Sequence, residues 1–197
     1  LGNELGAAAI RDQAEAFGFN SGFNIPLRAA TSLFPQDPDA PQTALSAIGQ
    51  FEVRATALQM AMVAASIGNS GRTMNPYLVQ EIRGPDLSIL QTTEPTQFED
   101  ALKPSNSLSL TEMLVNVVEN GTGSNAKING VRVAGKTGTA QTGNDSPSVA
   151  WFISFAPAAA PKVAVAVVIE ESGFAEVSGN GLAAPIAKEV MKAVLGS

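Results

Sequence analysis

Val133-Ala-Gly-Lys-Thr-Gly-Thr-Ala-Gln-Thr142 is a strand-like run that gathers a lysine, threonines and two glycines. Strands disfavour glycine, and packing gives no reason to place a lysine among hydroxyls. The pattern suits a strand at the rim of a site, where an extended peptide can pair with its backbone. Gly138 removes a side chain where another backbone must come close. Thr137 and Thr139 offer hydroxyls to a carboxylate, and the Lys136 ammonium can steer that carboxylate and tune nearby proton transfer.

Two more strand candidates follow, Val149 to Phe155 and Lys162 to Glu170, with turns at Asn144-Asp-Ser-Pro147 and Pro157 to Pro161. The first strand spans Val131 to Gln141, and connections this short imply antiparallel neighbours. Gly181 to Leu195 closes the chain as a helix with Ile186, Val190, Met191 and Val194 on its apolar side. Upstream, Ser109-Leu-Thr-Glu112 reads as a capping box for a helix to about Glu119, ended by Asn120-Gly121. Gly84 to Pro104 is polar and turn-rich, with little expected structure, and Tyr77 to Arg83 reads as a strand. Val53 to Ile67 is apolar nearly all round, the pattern of a helix enclosed in a domain centre. Asn20 to Pro41 reads as an irregular excursion, and Gly2 to Phe17 as one amphipathic helix stopped by Gly18. Helices, then a three-stranded meander, then a helix predict an α+β fold, an antiparallel sheet flanked by helices.

Composition narrows the chemistry. The 197 residues are 45% hydrophobic and 15% charged, enough for one domain with a sizeable core. The formal charge of −6 argues against nucleic acid as a partner. With no cysteine and no histidine, a disulfide, a Cys/His zinc site and a Ser-His-Asp triad within this chain are all excluded. Acid–base work falls to lysine, carboxylate, tyrosine or water.

Lys136-Thr137-Gly138 stands within an ordered series: Ile48-Gly-Gln50, Asn75-Pro76, Asn120-Gly-Thr-Gly123, Val133 to Gln141, Ala150-Trp-Phe152, Phe155-Ala-Pro157 and Ala183-Ala-Pro185. The series resembles the transpeptidase domain of class B penicillin-binding proteins, most closely the penicillin-binding protein A type of actinobacteria, from Leu1 nearly to the end. Val149 departs from it, since many relatives carry histidine there. The resemblance implies the penicillin-binding protein and serine β-lactamase-like transpeptidase fold. Its implied activity is crosslinking of peptidoglycan D-Ala-D-Ala stem peptides through a serine acyl-enzyme, which β-lactams inhibit. It implies catalytic roles for Lys136 and for Thr139, whose backbone N–H is one of two oxyanion donors, worth about 3 kcal/mol in the transition state. It implies substrate binding by Thr137 and Gly138. No metal or organic cofactor is implied. Stem peptide, β-lactams and proteins of cell division or elongation are the implied partners, on the extracytoplasmic side of the bacterial membrane through an anchor outside this chain.

The family also needs S-x-x-K, carrying the nucleophile and its lysine base, and S-x-N, both ahead of K-T-G. Ser124-Asn-Ala-Lys127 and Ser178-Gly-Asn180 match literally. Ser124 lies in a glycine- and asparagine-rich run that opposes the helix on which an i, i+3 pair would meet. Ser178-Gly-Asn180 follows K-T-G, the wrong order. Both are rejected as family elements. Residues 1–197 are therefore expected to be the C-terminal portion of a single domain, lacking its N-terminal part with S-x-x-K and S-x-N. Two alternatives stay open: a serine β-lactamase or β-lactam sensor on the same fold, separated by its deacylation rate, and a non-catalytic interaction module.

Overall fold

The computed structural model describes residues 1–27, 29–140, 148–170 and 177–196. The expected first helix is two: α1, Gly2–Leu5, and α2, Ala7–Ala16, broken where Gly6 takes φ 85°. Helix α2 stops as expected, with Gly18 at φ 103° and its N–H donating to the Glu15 carbonyl. The excursion that follows is irregular and ends in α3, Ala40–Ser46, whose Asp39 and Gln42 form a reciprocal capping box. Helix α4, Ala57–Gly68, is capped by Thr56. It buries Gln59, Met62, Ala64, Ser66 and Ile67, while Leu58, Met60, Ala61 and Val63 stay half-buried and Ala65 exposed, so enclosure on every side is not found among the described residues.

The segment expected to have little structure contains the last two of four short strands: β1, Arg72–Met74; β2, Glu81–Arg83; β3, Ile89–Thr92; and β4, Gln97–Asp100. They pair antiparallel as β1–β4 and β2–β3. All of β3 is exposed, so no face was selected for apolar residues and the sequence shows no alternation there. The Tyr77 to Arg83 strand shrinks to β2.

Helix α5, Pro104–Asn120, corrects the capping box at Ser109. Pro104 opens the helix, where its fixed φ and missing N–H cost nothing. Ser109 sits inside it, its hydroxyl donating to the Ser105 carbonyl at 3.1 Å, and Glu112 instead reaches Arg132 at 2.8 Å.

The meander forms as expected: β5, Ala134–Ala140; β6, Val149–Ala156; and β7, Val163–Ile169, antiparallel in the order β5-β6-β7. The turn expected at 144–147 and the expected ends of the first strand at Gln141 and of the third at Glu170 fall outside the described strands, 141–147 outside the described residues. A π-turn, Gly179–Ala183, leads into α6, Ala184–Leu195. Its buried face keeps Met191 of the expected apolar side and corrects the rest. Ala184, Ala187 and Met191 are buried, whereas Ile186, Val190 and Val194 are 47%, 43% and 58% exposed. Small alanines let the helix sit close on the sheet, against Phe152 and Val165. The opposite sheet face, with Phe155 and Ala134, packs on Ala64 and Ile67 of α4. The architecture is thus α+β, an antiparallel sheet between helices, with β5 at its rim.

Candidate active site

Among the described residues β5 pairs with β6 alone, so its other edge carries no strand. The register sets Lys136 opposite Ile153, Thr137 opposite Phe152, Gly138 opposite Trp151 and Thr139 opposite Ala150. Alternation therefore sends Lys136 and Gly138 to the face of Trp151 and Ile153, and Thr137 and Thr139 to the other. Lys136 to Ala140 line a cleft of about 370 Å³, closed across from the strand by Phe19, Val53 and Met60. A larger groove of about 640 Å³ between α1, α2 and α3, lined by Leu5, Ile10 and Ile48, has no titratable side chain and offers no chemistry.

The Lys136 ammonium is exposed and donates to the Thr137 carbonyl at 2.7 Å. Among the described residues no carboxylate lies within ion-pairing distance of it. Thr139 is exposed. A methyl group at Gly138 would meet only Trp151 Cβ, at 3.2 Å, and so would project into the cleft. Thr137 Oγ1 lies 2.9 Å from Thr122 Oγ1, which comes from the loop after α5.

The two rejected matches come together. Ser124–Ala126 is a single 3-10 turn. Lys127 Nζ lies 4.0 Å from Glu119, and Ser178 Oγ accepts from the Gly181 N–H. Asn180 Oδ1 accepts from the Asn125 N–H at 3.0 Å, and Asn125 Nδ2 donates to the Asn180 carbonyl at 3.0 Å. This two-pronged contact joins the loop after α5 to the lead-in of α6. Gly179 then lies against the K-T-G strand. A side chain there would run into the Trp151 carbonyl oxygen and stand 3.1 Å from both N and O of Gly138. Thr122, Trp151, Gly179 and the Asn125–Asn180 pair were not identified as site residues from the sequence. Trp151 and Thr122 belong to quoted motifs but show no role until the strands pair. Glu15, at the end of α2, is held below the usual carboxylate range chiefly by the Asn20 amide, which donates to it at 3.0 Å; desolvation opposes this, and Gln36 and Arg11 add lesser lowering effects.

Comparison with known proteins places this geometry. Residues 1–192 match the family model described as the penicillin binding protein transpeptidase domain. The chain is similar to the peptidoglycan D,D-transpeptidases PbpA of Mycolicibacterium smegmatis, 42% identical, and of Mycobacterium tuberculosis, 43% identical, over 99% of its own length and 40% of theirs. It spans about two fifths of the length of these curated relatives. It superposes on penicillin-binding protein A from M. tuberculosis in its ceftriaxone acyl-enzyme complex with a TM-score of 0.93 and 43% identity, over 98% of this chain and 44% of that one. A family match across nearly the whole chain, on a sheet whose edge strand carries K-T-G beside a cleft, leads to one assignment: the chain belongs to the penicillin-binding protein transpeptidase domain family.

Proposed function

We propose that this chain is the C-terminal portion of a peptidoglycan D,D-transpeptidase domain and supplies the K-T-G wall of its active site. The observation that carries the reading is the placement of Lys136 to Thr139 on a strand edge lining a cleft. The nucleophilic serine and its lysine base, S-x-x-K, together with S-x-N, belong to a preceding part of the same domain. The half-exposed face of α4, with Met60 in the cleft wall, supports a neighbouring element there.

In this mechanism the serine oxygen attacks the carbonyl between the two D-alanines of a stem peptide. The proton passes to the leaving amine, the last D-alanine departs, and an acyl-enzyme ester remains. An amine from a neighbouring stem then attacks the ester, forms the crosslink and returns the proton to the serine. Thr137 and Thr139 hold the substrate carboxylate, and Gly138 keeps the rim clear for the substrate backbone. The Thr139 N–H stabilises the oxyanion, and the Lys136 charge steers the carboxylate and eases proton transfer. β-Lactams acylate the same serine, and no cofactor takes part. The protein works on the extracytoplasmic side of the bacterial membrane, held by an anchor outside this chain, and alongside division or elongation proteins. The relatives' names support the transpeptidase reading, and the β-lactam acyl-enzyme of the M. tuberculosis protein supports acylation by β-lactams.

The test is penicillin acylation of the complete protein. Lys136→Ala and Thr137→Val should each slow it at least about tenfold, the loss of one transition-state contact, with the thermal midpoint unchanged. The parent adduct should persist, which separates a transpeptidase from a β-lactamase. Equal acylation in parent and variants would remove these residues from the mechanism.

A further inference from the structure

We infer that Thr122 is a positioning residue that aims the Thr137 hydroxyl at the substrate carboxylate. The inference rests on the reading of Thr137 given above. The two hydroxyl oxygens are 2.9 Å apart, and either can donate. A threonine hydroxyl has one proton and two acceptor sites. Thr137 can give its proton to a carboxylate only while it accepts from Thr122. An arriving anion selects that direction, from the Thr122 hydroxyl to the Thr137 hydroxyl to the carboxylate, and each bond polarises the next.

The loop is built to hold Thr122 in place. After α5 the Val117 carbonyl accepts from the N–H of both Gly121, at 3.2 Å, and Gly123, at 2.9 Å, which folds the chain back on itself. A methyl group at Gly121 would lie 3.0 Å from that carbonyl oxygen, and one at Gly123 would lie 3.3 Å from the Phe152 ring and from Val117. Close approach thus favours glycine on either side of Thr122. Two residues further on, Asn125 is pinned by its paired contacts with Asn180. Thr122 itself is exposed, so water can satisfy its hydroxyl in any arrangement, and the bond to Thr137 adds little to stability. Its consequence lies in orienting the Thr137 proton.

The test is a double-mutant cycle in the complete protein, read as the second-order rate of penicillin acylation with the thermal midpoint as control. Thr122→Val should slow acylation about three- to tenfold, the range of one neutral hydrogen bond. Thr122→Ser should restore it, and in a Thr137→Val background Thr122→Val should have no further effect. The inference is overturned if Thr122→Val is silent where Thr137→Val is slow, or if it costs the same in both backgrounds. A silent Thr137→Val would overturn the underlying reading of the site, and this inference with it.

Discussion

Gly179→Ala tests the contact that braces the K-T-G strand. The added methyl group would point at the Trp151 carbonyl oxygen and at the Gly138 peptide, both backbone. No side-chain rotation relieves a clash with backbone, so the π-turn or the strand must retreat by about 1 Å to regain ordinary contact. Overpacking of this kind costs about 1–3 kcal/mol, and the thermal midpoint of the complete protein should fall by several degrees. A retreat of β5 also moves Lys136 to Thr139 relative to the nucleophile. Misplacement on that scale can cost about a hundredfold in rate, so penicillin acylation should drop by one to two orders of magnitude. Gly138→Ala is the contrast. Its methyl group meets only Trp151 Cβ, at 3.2 Å, a contact relieved by a shift of a few tenths of an ångström, and projects into the cleft. That variant should keep its midpoint within about 1 kcal/mol of parent stability while acylation falls, because small steric adjustments are tolerated where there is open space. Stopped-flow acylation with a fluorescent penicillin and a thermal melt measure both quantities. A Gly179→Ala protein with parental rate and midpoint would refute the bracing argument.

Three further outcomes are expected. Ser124→Ala should leave acylation within about twofold of parent, since among the described residues its side chain has only a 3.5 Å contact with Asn180 and no lysine partner; loss of the covalent adduct would make Ser124 the nucleophile after all. Thr73→Val should destabilise by about 1–3 kcal/mol in a denaturant titration, because the buried Thr73 hydroxyl donates to the Ala16 carbonyl and meets Ser66 Oγ at 3.0 Å, tying α2 to α4; an unchanged midpoint would mean these groups find other partners. The folded pKa of Glu15 is depressed, so its contribution to stability is present above the ordinary carboxylate value of 4.5 and fades as pH falls through the lower folded value. The stability advantage of parent over Glu15→Gln at neutral pH should therefore close in acid, and a gap independent of pH would remove the charged hydrogen bond from the account.

The sequence by itself determined what rests on neighbouring residues. The β5-β6-β7 meander was legible because strand-forming runs alternate with short turns, and the K-T-G motif with its ordered surroundings pointed to the family. The Gly18 stop was legible for the same local reason. The Ser109 box failed because a competing start, Pro104, lay five residues earlier and tertiary contacts favoured it: Ser107 donates to the Ile67 carbonyl at the end of α4. The face of α6 was misjudged at Ile186, Val190 and Val194 because bulk was taken as the sign of burial, whereas a helix laid closely on a sheet buries its alanines, here beside Met191. Tertiary structure alone decided the surroundings of the motif. Thr122 meets Thr137 across 15 residues and Asn125 meets Asn180 across 55, and Gly179 reaches Gly138 only once the last helix has docked. Local periodicity carries no information about such partners, because which backbones come within van der Waals distance is set by the packing of whole elements.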